Sequence, residues 1–230
     1  MTNILNELNS DNMGSLRSKV FEKLQNAIIE GHYKKGEGLT ESRISLDFGV
    51  SRTPVREAIR QLELEGLIEY IPNKGAIVKG ISRKDIGDIF DIRVLIEGLA
   101  ARWAAQSITE DELKALEKAI ELEEFFTRKN DSEQLMKIDT MFHDIIFNAC
   151  DSRPLLHVLS MFHRYVQRAR SQSLATQERA EKVYEEHMAI YHALVEHNCK
   201  KAEELMFIHV KNARVHWLNV NKENEQEEII

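Results

Sequence analysis

The sequence predicts a mainly α-helical protein, in which a small N-terminal unit with one β-hairpin precedes an antiparallel bundle of six to seven helices. Three observations support this fold class. The chain of 230 residues contains only 3 Pro and 10 Gly, so few positions interrupt a helix. From Ser82 onward, apolar residues recur with the helical period of about 3.6 residues. In the N-terminal third, two short β-rich segments flank a turn-forming sequence.

The elements of the N-terminal unit, residues 15–80, follow from local signals in the sequence. A first amphipathic helix is predicted over 16–29, and a short second helix over 41–48 with Thr40 as its N-cap. A third helix follows directly. The segments LIEYIP and GAIVKG then flank Asn73-Lys74-Gly75, which has the residues that a hairpin turn needs. Three helices and a hairpin in this order predict a winged helix-turn-helix.

The third helix carries a row of arginines on one side. Ser51 is a suitable N-cap for this helix, and Arg52, Arg56 and Arg60 recur at i, i+4 and i+8. Arginines near a helix N-terminus suit the major groove of DNA, where a guanidinium can bond guanine through two hydrogen bonds. The alternative is a solvated basic face, balanced by the acidic residues Glu57, Glu63 and Glu65. The hairpin favours DNA contact, because its tip would carry Lys74 toward the phosphate backbone.

The second unit, residues 81–220, is predicted to be wholly helical. Six amphipathic helices joined by short loops indicate an antiparallel bundle. Their predicted ranges are 82–106, 109–128, 132–150, 153–173, 176–197 and 199–219. Residues 1–14 are expected to form a disordered tail, and residues 221–230 a polar, acidic tail.

Composition limits the classes of protein that this chain can belong to. The net charge is −7, but residues 1–80 are balanced, so the excess of acidic groups belongs to the helical unit and does not exclude a nucleic-acid partner. No apolar run approaches the roughly 20 residues that a membrane span needs, and no export signal is visible. Cys150 and Cys199 are isolated thiols, which is typical of a reducing compartment. These features predict a cytoplasmic location.

Four polar residues lie in the middle of apolar helical stripes in the second unit. Asp139 and His143 are one helical turn apart, and His187 and His209 lie on two later helices. Buried carboxylate and imidazole groups are costly without partners, and one divalent cation would satisfy all four. One aspartate and three histidines suit zinc, and also nickel or manganese, with positions left open. The alternative is a set of separate core histidines, each hydrogen-bonded to a neighbouring helix.

Two arginines also point toward the predicted core. Arg93 lies in the middle of an apolar arc, and Glu97, one turn later, is its possible structural partner. The functional interpretation is that Arg93 binds the carboxylate of a small organic acid held against the metal. Arg170 is a second candidate for the same role.

The motifs VSRTPVREA and PNKGAIV, followed by DIRVLIEGLAARWAA, resemble the GntR family of bacterial regulators, in particular the FadR subfamily with an FCD C-terminal domain. The resemblance covers about residues 16–218. It implies a homodimer that binds an inverted repeat in double-stranded DNA, and an effector-binding and dimerisation role for residues 81–220. The second helix has Ser42 where many relatives have an arginine, with Arg43 beside it. The predicted DNA-binding residues are Arg43, Arg52, Thr53, Arg56, Lys74 and Gly75.

The resemblance also bears on the helical unit. In the metal-binding branch of FCD domains, an Asp-x3-His pair is joined by two later histidines, which match Asp139, His143, His187 and His209. Many FCD regulators respond to small organic acids, which supports the effector role of Arg93. Three functions remain open: a regulator controlled by an acid near the metal, a regulator whose metal is structural or is itself the signal, and, more distantly, a metalloenzyme with an Asp/His3 site.

Overall fold

The computed structural model describes the backbone of residues 13–227 and the side chains of residues 16–220. The chain divides into two compact units, residues 1–82 and 83–230. Of the predicted N-terminal tail, only Met13 and Gly14 are described, and they begin the first helix. The side chains of the predicted C-terminal tail lie outside the described residues.

The first unit is a winged helix-turn-helix. Its elements are α1 (Met13–Ile29), β1 (Gly38–Leu39), α2 (Glu41–Phe48), α3 (Arg52–Leu64), β2 (Ile68–Ile71) and β3 (Gly75–Val78). Thr40 caps α2 as predicted, because its hydroxyl accepts a hydrogen bond from the backbone N–H of Arg43 at 3.3 Å. Ser51 precedes α3 but forms no side-chain capping bond. Buried Leu24, Val55 and Leu62 place the core of this unit between α1 and α3.

The wing contains one strand more than the hairpin that the sequence predicts. β1 pairs antiparallel with β3, so the sheet has the order β1-β3-β2. This two-residue strand is too short to produce an alternating pattern, and only its pairing with β3 reveals it. At the hairpin tip, Asn73 adopts a left-handed conformation with φ 64°. Asparagine tolerates this region better than most residues, which explains its place in the turn.

The second unit is a helical bundle. Its helices are α4 (Arg83–Ser107), α5 (Glu110–Lys129), α6 (Ser132–Ala149), α7 (Arg153–Tyr165), α8 (Gln167–Leu174), α9 (Gln177–Val195) and α10 (Cys199–Glu227). The single helix predicted over 153–173 is wrong: the backbone leaves the helical region at Val166, with φ −94° and ψ 5°, and α8 begins there. No Gly or Pro marks this bend, and Val166 is buried, so packing decides it. The final helix also continues past its predicted end near residue 219.

The first and last helices of the bundle pack closely against each other. A Cβ atom added at Gly98 of α4 would lie 3.2 Å from the carbonyl oxygen of Glu203 on α10, so the small side chain permits the close approach. On the inner side of α4, Ala100, Ala101 and Ala104 are fully buried. These helices enclose a largely apolar core. A group of charged and imidazole side chains lies within it.

Candidate metal centre and DNA-contact surface

The predicted DNA-binding residues lie on the surface of the first unit. Arg52, Thr53 and Arg56 are exposed in the first two turns of α3, and Lys74 is exposed at the hairpin tip. Gly75 follows with φ 80°, a backbone conformation that glycine adopts without strain. Both α3 and the wing therefore present cationic groups to solvent.

Two of these cations are already paired within the unit. The Arg56 guanidinium donates two hydrogen bonds of 2.7 Å to Glu41, at the start of α2. Arg43 donates to Glu37 at 2.8 Å. The hydrogen bond from Arg56 lowers the pKa of Glu41, so this carboxylate is ionised at neutral pH. Glu41, which the sequence patterns did not identify, holds Arg56 in one orientation.

The four predicted metal ligands converge in the core of the bundle. Asp139, His143, His187 and His209 are buried, and one donor atom from each lies within 4.8 Å of the others. The Nε2 atoms of His143 and His209 are 3.2 Å apart. The Oδ1 atom of Asp139 lies 3.7 Å from Nε2 of His187 and 4.0 Å from Nε2 of His143. Donor atoms around one four-coordinate zinc ion are roughly 3.3 Å apart, so this spacing fits one small cation.

Each of the three histidines has a carboxylate on its other ring nitrogen. Nδ1 of His187 is 2.9 Å from both oxygens of Glu123, on α5. Nδ1 of His209 is 2.7 Å from Glu186, on α9. Nδ1 of His143 lies 3.4 Å from Glu97, on α4, but forms no hydrogen bond with it. Metal-binding histidines usually donate their second N–H to such a group, which fixes the tautomer and directs the other nitrogen to the metal.

A buried nitrogen left without a hydrogen-bond partner in the described part of the chain also supports a site for one cation. Nε2 of His187 is buried and has no hydrogen-bond partner among the described residues. A buried imidazole nitrogen without a partner is costly unless a ligand or a metal ion completes it. The residues present therefore fit a divalent cation, with three imidazole nitrogens and one carboxylate oxygen as donors.

A chain of buried polar groups connects Asp139 back to His143. Arg170 donates to Oδ2 of Asp139, at 2.9 Å from its Nε, and to Nδ1 of His163 at 2.9 Å. Because arginine can only donate, Nδ1 of His163 accepts this bond. Nε2 of His163 lies 3.0 Å from Glu97 and 3.1 Å from Nη2 of Arg93, and Glu97 faces His143. His163 also belongs to a second possible ligand group, with Glu97 and His143.

The two predicted effector-binding arginines thus lie beside the candidate metal site. Arg93 donates to Glu97 at 2.5 Å, as the structural interpretation of the sequence predicts, and Arg170 pairs with Asp139. Each arginine therefore has a carboxylate partner from the chain itself. The effector role of both residues stays a prediction.

Burial and charge act against each other at Asp139 and His187. Burial alone would raise the pKa of Asp139, but Arg170, His187 and His209 together outweigh it and hold the pKa well below its usual value. Burial alone would lower the pKa of His187, but Glu123 and then Asp139 outweigh it and raise the pKa. These carboxylates stabilise a positive charge at His187, which a bound cation would also supply.

The other imidazoles behave differently. Burial lowers the pKa of three rings, those of His143, His163 and His209. They are neutral at neutral pH, and a neutral imidazole has one nitrogen lone pair that can bind a metal ion.

A small cavity of about 20 Å³ adjoins the candidate ligands. Its polar lining residues are Arg93, Asp139, His143, Arg170, Ser173, Arg179 and His209. A water molecule needs roughly 10–15 Å³ measured in this way, so the cavity has room for a water but not for an organic acid.

Three polar residues beside the candidate ligands were not identified from the sequence, namely the buried Glu123 and Arg179 and the half-buried Glu186. Glu123 falls on the buried stripe of α5 with Leu116, Ala119 and Ile120. The histidines were identified as polar residues in the middle of apolar helical stripes, and the same pattern could therefore have identified Glu123. Glu186 precedes His187 and only the packing of α10 against α9 brings it to His209.

Comparison with known proteins identifies the chain. Residues 16–78 match the bacterial regulatory proteins of the gntR family, and residues 88–212 match the FCD domain. The chain belongs to the GntR family. It is a DNA-binding transcriptional regulator with an FCD domain, and its relatives are regulators and not enzymes.

The similarity to individual relatives extends over nearly the whole chain. It is 27% identical over 207 residues to the HTH-type transcriptional regulator YdhC of Bacillus subtilis (strain 168), covering 90% of this chain and 92% of YdhC. It is 26% identical over 209 residues to the HTH-type transcriptional repressor RspR of Escherichia coli (strain K12), covering 91% and 92%. The solved structure of E. coli McbR/YncC has the same fold, with a TM-score of 0.74 at 18% identity, covering 89% of this chain and 98% of McbR/YncC.

Among the described residues, no helix combines the length and the apolar composition that crossing a membrane requires.

Proposed function

We propose that this regulator is a cytoplasmic homodimer that binds an inverted repeat through α3 and the wing, and that a small organic acid bound beside a divalent metal ion modulates this binding. In this proposal Asp139, His143, His187 and His209 hold the metal, and residues 81–220 carry the effector site and the dimer interface. Zinc is the best match to the donor set, and nickel or manganese are alternatives.

The metal assignment depends mainly on how the two ring nitrogens of each candidate histidine are placed. On each of His187 and His209, Nδ1 bonds a carboxylate and Nε2 belongs to the candidate donor group. Separate core histidines would each be satisfied by a neighbouring helix, yet Nε2 of His187 has no partner among the described residues. Such an arrangement favours one shared cation over independent hydrogen bonds.

A bound metal ion would act as a Lewis acid for a carboxylate oxygen of the effector. The chain's own cations complement it, because Arg93 and Arg170 line the same cavity. Arg93 is the stronger candidate for the second anchor, since its Nη1 atom is buried without a partner among the described residues. Arg170 already orients Asp139 through Oδ2, so we assign it mainly to positioning that ligand.

The size of the cavity favours a second candidate function, in which the metal is structural or is itself the signal. A cavity of about 20 Å³ admits no organic acid unless side chains move. Titration of DNA binding distinguishes the functions. If acids leave operator affinity unchanged, and removing the metal leaves it unchanged too, the structural role is favoured. If only metal removal changes operator affinity, the metal is the signal.

Removing the Arg93 guanidinium should abolish the response to the acid. We expect Arg93→Gln to retain metal and operator binding, because Glu97 keeps its contacts with His163 and His143 while the guanidinium is absent. The shift in operator affinity that an acid causes in the parent, typically about 1–3 kcal/mol for allosteric coupling, should be lost. Calorimetric titration with a panel of organic acids, with and without metal, measures this. Equal acid affinity in the variant and the parent would remove Arg93 from the effector site.

Lys74 at the wing tip should contribute to DNA binding without sequence preference. We expect Lys74→Ala to weaken binding to operator and to unrelated DNA by a similar factor. The slope of log affinity against log salt concentration should also become shallower by about one. Gel-shift titrations at several salt concentrations measure both quantities. A loss confined to the operator would mean that Lys74 reads bases instead of contacting phosphate.

A further inference from the structure

Arg179 and Glu186, both on α9, form an ion pair at the edge of the cavity beside the candidate metal site. The guanidinium binds the carboxylate through two hydrogen bonds, from Nη1 at 2.9 Å and from Nη2 at 3.0 Å. Arg179 lines the small cavity and also an open surface groove of about 420 Å³. Glu186, Lys182 and Asn212 line the groove as well. The pair thus lies between the surface and the buried cavity.

Two buried guanidinium atoms that belong to residues lining the cavity have no hydrogen-bond partner among the described residues. They are Nε of Arg179 and Nη1 of Arg93, on side chains that are 5% and 2% exposed. Donors on a buried cation are costly to leave unsatisfied, and a guanidinium matches the geometry of a carboxylate. Because both residues line one cavity, these two donors indicate an anionic ligand there.

Glu186 shows how the chain itself binds a carboxylate at this point. In addition to Arg179, Asn212 donates to its Oε1 at 2.8 Å, and His209 contacts its Oε2 at 2.7 Å. A ligand carboxylate has the same shape and could accept the same two hydrogen bonds from Arg179.

We propose that Arg179 is both a gate and a binding residue, and that a small carboxylic acid arriving from the groove displaces Glu186 from it. Displacement opens the cavity to the groove, which supplies the space that the cavity lacks. Because Glu186 also contacts Nδ1 of His209, the exchange removes the partner that orients this candidate metal ligand. The ligand class is a small hydroxy- or dicarboxylic acid, and the inference rests on the proposed function.

The test is calorimetric titration of the full, metal-loaded chain with citrate, L-malate, L-lactate and D-gluconate. Three variants are compared with the parent: Arg179→Gln, Glu186→Gln and, as a control in the same groove, Lys182→Gln. Arg179→Gln should weaken binding of the active acid about tenfold or more, through loss of a charge-assisted pair. Glu186→Gln should tighten binding about threefold or more, because the competing carboxylate loses its charge. Lys182→Gln should stay within about twofold.

The exchange predicts opposite changes in acid affinity for Arg179→Gln and Glu186→Gln, whereas a purely structural role of the pair does not. If both weaken acid binding, the pair is a scaffold and the exchange is wrong. If Arg179→Gln binds the acid like the parent, with full metal content by elemental analysis, Arg179 is not an anchor, although the proposed function stands. If the metal-loaded parent binds none of the four acids, the proposed acid response fails and the gate fails with it.

Discussion

Replacing His187 with alanine is expected to remove most of the bound metal and to lower thermal stability at the same time. The substitution deletes one candidate donor and also leaves Glu123 buried without its partner. Breaking a buried charged pair in this way costs about 3–5 kcal/mol, and loss of the metal adds to it. Elemental analysis and thermal unfolding of purified protein measure the two effects.

A second substitution at the same position separates them. In His187→Asn, the amide nitrogen can still donate to Glu123, while the Nε2 donor is absent. We expect this variant to lose metal like the alanine variant but to lose less stability in the metal-free state. His192→Ala is the matched control, because His192 is exposed on the same helix and should change neither quantity. Full metal content in both His187 variants would exclude His187 from the ligand set.

The recognition helix should carry the second large effect. We expect Arg52→Ala or Arg56→Ala to weaken binding to specific operator by about 1–3 kcal/mol if the side chain makes a bidentate base contact. At Arg56 the change also leaves Glu41 as an unpaired carboxylate near the DNA, which adds repulsion. Gel-shift titration on an inverted repeat that the parent selects from random DNA provides the measurement.

Arg128→Ala controls for the change in net charge, because Arg128 is exposed in the helical unit and pairs with Glu124. It should leave operator affinity within about twofold of the parent. If the Arg52 and Arg56 variants bind the selected repeat as tightly as the parent does, α3 is not the recognition helix.

The sequence predicts which residues of the candidate metal site face the core, but not all of their partners. Helical periodicity assigns His187 and His209 to buried faces, because each lies in the middle of an apolar stripe. Helical periodicity does not determine how far one helix is shifted along its axis relative to another. Whether Glu186 meets His209, or Glu123 meets His187, therefore depends on packing that no local pattern encodes. The pairing of Arg93 with Glu97 is predictable from the sequence, because the two residues are one turn apart on the same helix.

The same limit applies to the fold. Capping residues, the hairpin turn and the helical stripes predict nearly every element of both units. Local patterns do not reveal the bend at Val166 or the strand β1, because the first arises from packing and the second from pairing with a distant strand. On the DNA-contact surface, spacing places Arg56 on the exposed side of α3. Its pairing with Glu41, fifteen residues earlier, appears only in the structure.

Anomalous diffraction tests the metal assignment most directly. Crystals of the full chain, purified without chelator, would be measured on both sides of the manganese, nickel and zinc absorption edges. The proposed function predicts one anomalous peak per chain, bounded by Oδ1 of Asp139 and the Nε2 atoms of His143, His187 and His209. No peak at any of the three edges, or a single peak between Glu97, His143 and His163, would contradict it.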